Sequence, residues 1–293
     1  MFSKDSLKLK IQTAVTVALI ASGIIPAVQA EVPDASVNNP SDTTITNGST
    51  SYAVDLDSGG PYTVINAGTI STVKATSTIS AIEIDEVAVT TLTNTGTMSA
   101  ETVRSGAFGI HSYTYNDTTS ITTLTNSGTI SGESGINNGN GIWLETYYAD
   151  NSITTLTNSG TISGEAGNSL GYGVRLSSYN ADASITTLTN TATISGSAGT
   201  DGYGVYLYSY DADASITTLT NSGTISGEAG TDGYGIYLYT GHRGSGNSTI
   251  TNLTNKGTIS GSTYDIWNKD EDIINFNNSQ GKDGDDVLTY NGK

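Results

Sequence analysis

The chain has 293 residues, 35% of them hydrophobic and only 13% charged, with a formal net charge of −17 and no cysteine. Such an acidic chain repels nucleic acid and anionic headgroups, so neither is expected as a partner. The missing thiols exclude a disulfide framework and cysteine-based zinc sites, and two histidines, His111 and His242, are too few for a His-rich one.

The N-terminus has the pattern of an export signal. Lys4, Lys8 and Lys10 precede an apolar run over residues 11–25, and Val28-Gln29-Ala30 offers a small-residue site with cleavage expected before Glu31. The run is short for a membrane helix. Removing residues 1–30 takes away three lysines and one aspartate and leaves a mature charge of −19. Residues 31–43 then form an N-terminal cap, 44–275 the repeats, and 276–293 a decayed last coil and tail.

From Leu92 onward one phrase recurs. It reads LTNTGTMS at Leu92, LTNSGTIS at Leu124, Leu156 and Leu219, LTNTATIS at Leu188 and LTNKGTIS at Leu253. Its asparagines, Asn94, Asn126, Asn158, Asn190, Asn221 and Asn255, are spaced by 32, 32, 32, 31 and 34 residues. Weaker copies are VINAGTIS from Val64, TITNGST from Thr44 and FNNSQG from Phe276. A repeat of this length is one turn of a solenoid, because a single unit cannot bury its own apolar face.

Within Ser152 to Ala183, strand-like stretches rich in Thr, Ile, Val and Leu cover residues 155–158, 161–163 and 173–178, with Gly, Asn or Ser between them. No helical period is present. Three short strands and three corners describe one coil of a right-handed parallel β-helix. The fold expected is therefore all-β, with about eight coils and a length of roughly 40 Å at the usual strand spacing. Alternation turns Leu156, Asn158, Ile162, Val174 and Leu176 inward, with the equivalent residues of other coils stacked on them. The asparagines belong at a corner, where amides can bond to the Asn above and below. Gly96, Gly128, Gly160, Gly223 and Gly257 follow two residues later, and Ala192 interrupts that column. An alanine there implies an ordinary backbone angle, with glycine chosen for close approach of chains.

The outward positions of the third strand are the candidates for function. One column reads His111, Trp143, Arg175, Tyr206, Tyr237 and Trp267; its neighbour reads Tyr113, Glu145, Ser177, Tyr208 and Tyr239; beyond the bend come Tyr115, Tyr147, Tyr179 and Tyr210. Arg175 is placed for cation–π stacking between Trp143 and Tyr206. Trp143, Arg175, Tyr206, Tyr208, Tyr237 and Tyr239 form a candidate platform for a glycan or for a protein on a host or neighbouring cell. Stacked aromatics also stabilise adjacent strands without binding anything.

Other surfaces point elsewhere. The T-L-T triplets, such as Thr123/Thr125 and Thr155/Thr157, form threonine rows that resemble the ice-contacting face of some β-helical antifreeze proteins, although Thr is also an ordinary strand residue. Asp150, Asp182 and Asp213 align at one loop and Glu133, Glu165 and Glu228 at another; they read as solvated loop charge rather than calcium ligands. No metal, cofactor or phosphate motif is evident and no cofactor is expected. The acidic clusters are repeat equivalents, whereas a catalytic site breaks a repeat, so a carbohydrate-active lyase or hydrolase is the alternative reading and not the main one.

The phrase Asn126-Ser127-Gly128-Thr129-Ile130-Ser131-Gly132, together with the strands at 202–208 and 233–239, resembles the passenger regions of bacterial autotransporters (type V secretion). The resemblance covers residues 44–292. It implies a secreted or outer-membrane-anchored surface passenger acting as an adhesin or stalk, exported through a C-terminal outer-membrane barrel. The strands of such a barrel need roughly 9–11 residues each, and the tail to Lys293 has no room for them. A truncated gene, a separately encoded passenger or a pore supplied by a partner is what the resemblance then implies.

Overall fold

The computed structural model describes residues 36–41, 43–46, 51–241 and 245–268, with the strand positions Val28–Gln29, Val32–Pro33, Ile273–Asn278 and Tyr290–Asn291. The expected signal segment lies outside the described residues except for Val28–Gln29, which pairs with Ile45 and Thr46. His242 lies outside them too.

The described residues form an all-β parallel solenoid of about seven turns with a repeat of about 32 residues. Each turn contributes one strand to each of three parallel sheets, here called first, second and third. In one coil these strands are Asn151–Asn158, Thr161–Ala166 and Leu170–Ser178. The strands pair with their equivalents one coil away, as in Leu156↔Leu188, Ile162↔Ile194 and Val174↔Val205, with a register shift between Tyr62 and Thr63.

The core is built from columns of like residues. Leu92, Leu124, Leu156, Leu188 and Leu219 are fully buried, as are the columns from Met98 to Ile225 and from Ile110 to Ile266. One further core column, Val89, Ile121, Ile153, Ile185, Ile216 and Ile250, comes from the start of the first-sheet strands. Ile153 and Leu156 are three residues apart, which simple alternation forbids. The chain resolves this by leaving Thr154 exposed and outside the regular pairing, with Ile153 and Thr155 paired on either side.

Polar ladders close the corners. Asn39, Asn66, Asn94, Asn126, Asn158, Asn190, Asn221 and Asn255 are all buried, and each Nδ2 donates to Oδ1 of the next at 2.7–2.8 Å. Among the described residues the ladder begins at Asn39, because Thr44–Thr46 of the TITNGST copy pairs with Thr69–Ser71 and so takes the place of the T-I-S end of the phrase. At the decayed copy, Phe276 pairs with Leu253 and Asn278 with Asn255. The corner glycines keep ordinary φ; among the described residues only Gly59 and Gly60 are glycines with positive φ. A Cβ on Gly128 would stand 2.0 Å from the carbonyl oxygen of Gly96. Close approach, not backbone angle, selects glycine there.

Candidate functional site: the outer face of the third sheet

The third-sheet strands carry two aromatic columns on their outer side. The expected column runs in register from His111 through Trp143, Arg175, Tyr206 and Tyr237 to Trp267. Beside it lies a second that alternation does not reveal: Phe108, Asn140, Tyr172, Tyr203, Tyr234 and Tyr264. Tyr172, Tyr203 and Tyr234 are buried in a cluster separate from the main core, packed against Tyr206, Tyr237 and Trp267. The inward Val174 shares their parity. The side reverses because the register skips the intervening glycines, Gly141, Gly173, Gly204 and Gly235; a Cβ on Gly173 would meet the Gly204 carbonyl oxygen at 2.6 Å.

The rings stack along the solenoid axis. Tyr172 and Tyr203 are 5.0 Å apart at 10°, Tyr206 and Tyr237 5.5 Å at 10°, and Tyr237 and Trp267 6.0 Å at 9°. Tyr208 and Tyr239 form another stacked pair at 5.7 Å, and Tyr147 and Tyr179 one at 4.8 Å. Across the columns the contacts are edge-to-face, as between Tyr203 and Tyr206 at 4.8 Å. Ring faces are thus turned to neighbouring coils, and the ladder offers edges to solvent. Burial raises the Tyr203 and Tyr206 phenols well above their ordinary range and lifts Tyr237 to about 12.

The ladder is broken in three adjacent coils. Arg175 places its guanidinium carbon 4.4 Å from the Trp143 centroid, 4.7 Å from Tyr172 and 5.9 Å from Tyr206. Its Nε donates to Ser177 Oγ at 3.0 Å, and Trp143 Nε1 donates to the same oxygen at 3.1 Å. On the opposite side of Trp143, His111 stacks at 4.7 Å and 27°. The imidazole is held between Glu83 at 2.8 Å and Glu145 at 3.3 Å, and only 12% of its side chain is exposed. Burial opposes its charge, but the two carboxylates outweigh it and push the pKa up to about 10. Glu145 and Ser177, expected to face solvent, are buried beneath these neighbours.

The aspartate column of the loops has a structural role. Asp150 Oδ1 accepts the Asp182 backbone N–H at 3.0 Å, Asp182 accepts that of Asp213 at 2.9 Å, and Asp213 accepts that of Asn247 at 2.8 Å. This column staples one loop to the next. Among the described residues no group of three or more His, Cys, Asp or Glu is arranged to hold a metal. The threonine rows lie half-exposed on the outer side of the first sheet, with Asn252 interrupting one of them.

No family model, curated protein or solved structure matches this chain.

Proposed function

We propose that the chain is an exported surface passenger of the autotransporter kind, a non-catalytic adhesin or stalk that meets its partner through the outer face of the third sheet. One observation carries the reading: core and corner columns repeat almost unchanged, while the outer face changes from coil to coil, from His111 to Trp143 to Arg175 to Tyr206. A solenoid needs uniform columns to stack. It does not need a varied surface, and a half-exposed aromatic and arginine surface is the usual composition of a contact. The signal-like pattern of the N-terminus and the passenger resemblance support a location at the cell surface, the outer membrane or outside the cell.

The test is adherence of beads coated with the chain to host or neighbouring bacterial cells, beside a Trp143→Ala/Tyr206→Ala variant shown by circular dichroism to keep its β-structure. Lost adherence is expected. Adherence unchanged in the folded variant removes this face from the contact, and release of reducing or unsaturated sugars from polysaccharides would overturn the non-catalytic assignment.

A further inference from the structure

The ladder breaks where a buried amide is left without partners. Asn140 occupies the register position between Phe108 and Tyr172, where the next coils carry tyrosine. Its side chain is fully buried, and neither its Nδ2 nor its Oδ1 has a hydrogen-bond partner. A buried amide left in this state is costly, and native chains rarely keep one without a use. One coil on, Tyr172 is paired with Asn140, and Arg175 lies over the Tyr172 ring. Nε of Arg175 is taken by Ser177. Among the described residues no carboxylate lies within ion-pair distance of the guanidinium, and Glu145 is committed to His111.

The geometry points to a carboxylate-binding subsite at Arg175 and Asn140 that takes a single uronic-acid sugar unit. The terminal edge of the guanidinium offers two parallel N–H donors to a carboxylate, a geometry that gives direction as well as attraction. The ligand draws Arg175 outward from the Tyr172 ring and opens the Asn140 amide, whose donor and acceptor then both find partners on it. Trp143 is not a stacking platform for the sugar, since His111 and Arg175 lie against its ring.

A sugar fits this face better than a peptide. The backbone of the third sheet is paired coil to coil, so no free strand edge is present here for a peptide to extend. Near Arg175 stand the phenols of Tyr179 and Tyr208, hydroxyl groups suited to a polyol. One carboxylate is specified because the chain's net charge of −17 repels a uniformly charged polyuronate.

This subsite rests on the contact surface proposed above, and its test separates the two. Binding of methyl β-D-glucuronide, methyl β-D-glucoside and N-acetylglutamate N-methylamide to the full chain is measured by calorimetry. The glucuronide is expected to bind at least about tenfold tighter than either of the others, as befits a site built around one charged hydrogen-bonded group. Arg175→Gln and Asn140→Tyr, the latter restoring the residue used by later coils, should each weaken it at least about tenfold. Equal binding of glucuronide and glucoside, no glucuronide binding, or unaltered binding by folded Arg175→Gln overturns the subsite. Equal binding of the glutamate compound overturns the sugar assignment in favour of an acidic peptide. Bead adherence that needs Tyr206 but survives Asn140→Tyr overturns the subsite alone and leaves the contact surface standing. Glucuronide binding by a wild-type chain that adheres to nothing does the reverse.

Discussion

Ser112 and Asn151 satisfy each other inside the core. Ser112 Oγ donates to Asn151 Oδ1 at 2.9 Å, and Asn151 Nδ2 donates back to the Ser112 carbonyl at 2.7 Å. Both are fully buried. Ser112 stands where later coils carry Leu144, Leu176, Leu207 and Leu238, and Asn151 where they carry Ala183 and Ala214. Two departures from the repeat, one too small and one too large, compensate in volume and in hydrogen bonding.

Either change alone should therefore be harmful and the pair benign. Ser112→Ala strands the Asn151 carbonyl oxygen and is expected to cost about 1–3 kcal/mol. Asn151→Ala leaves a cavity beside an unpaired hydroxyl, with a similar cost. The double variant Ser112→Leu/Asn151→Ala recreates the sequence of later coils and should unfold in urea within about 1 kcal/mol of wild type. A double variant as unstable as Ser112→Leu and Asn151→Ala summed would show that the pair is not coupled.

This pair also marks the boundary of what the sequence discloses. Leu156, Ile162, Val174 and Asn158 repeat at a fixed period, so their columns and their burial follow from stacking alone. Residues that break the period carry no such signal: the partner of Ser112 lies 39 residues away and one coil out of step. The tyrosine column from Tyr172 to Tyr264 escaped for a different reason. Strict alternation carries Tyr172 to the side of Val174, and only the irregular pairing at Gly173 reverses it. The G-Y-G spelling of that strand was the available clue, since a glycine inside a strand marks an irregularity or a close approach. Asn140 could be read as a substitution within the column once the column was known, but its missing partners are a fact of packing.

The pH dependence has a defined sign. His111, raised from 6.5 to about 10, favours the folded state while it is charged. Its contribution is complete below about pH 6.5 and is lost as pH rises through about 10. Asp85 is lifted from 3.8 to about 6 by burial, then by Glu86 and Glu83, and its Oδ1 lacks a partner. That group also favours the protonated form, so its contribution fades as pH rises from about 4 to about 6. Thermal unfolding should show a melting temperature that falls between pH 4 and 6 and again between about pH 6.5 and 10. Asp85→Asn should remove the first fall and His111→Gln the second. Profiles that keep both falls in these variants would place the titration elsewhere.

The corner glycines predict an asymmetry between two reciprocal substitutions. Gly128→Ala forces a Cβ to 2.0 Å from the Gly96 carbonyl oxygen, and the coils must part locally. Ala192 shows what the parting looks like: Thr193 N to Gly160 O is 3.1 Å, against 2.8 Å for Thr129 N to Gly96 O and for Thr161 N to Gly128 O. Gly128→Ala is expected to cost about 1–3 kcal/mol as overpacking. Ala192→Gly, which lets the coils close again, should change stability by under about 1 kcal/mol. Urea midpoints at constant slope check both, and equal losses from the two would remove close approach as the reason for glycine.

The asparagine ladder has a direction, and direction is what a variant at its middle should expose. Asn158 accepts from Asn126 Nδ2 at 2.8 Å, donates to Asn190 Oδ1 at 2.8 Å, and donates as well to the Thr193 carbonyl at 2.9 Å. Asn158→Ala leaves the Asn126 donor and two acceptors with less than their full set of bonds in a buried corner, a loss expected near 3 kcal/mol. Asn158→Asp keeps the volume and the acceptor but supplies no N–H to Asn190 or Thr193. If ionised it is a buried charge facing two oxygens; if protonated it has a single hydrogen for both. It should therefore destabilise at least as much as alanine at pH 7, and recover part of the loss near pH 4, where the protonated acid donates one bond. Urea unfolding at both pH values reads the difference. An aspartate variant that matches wild type at pH 7 would mean that the ladder stabilises by shape and not by its donors.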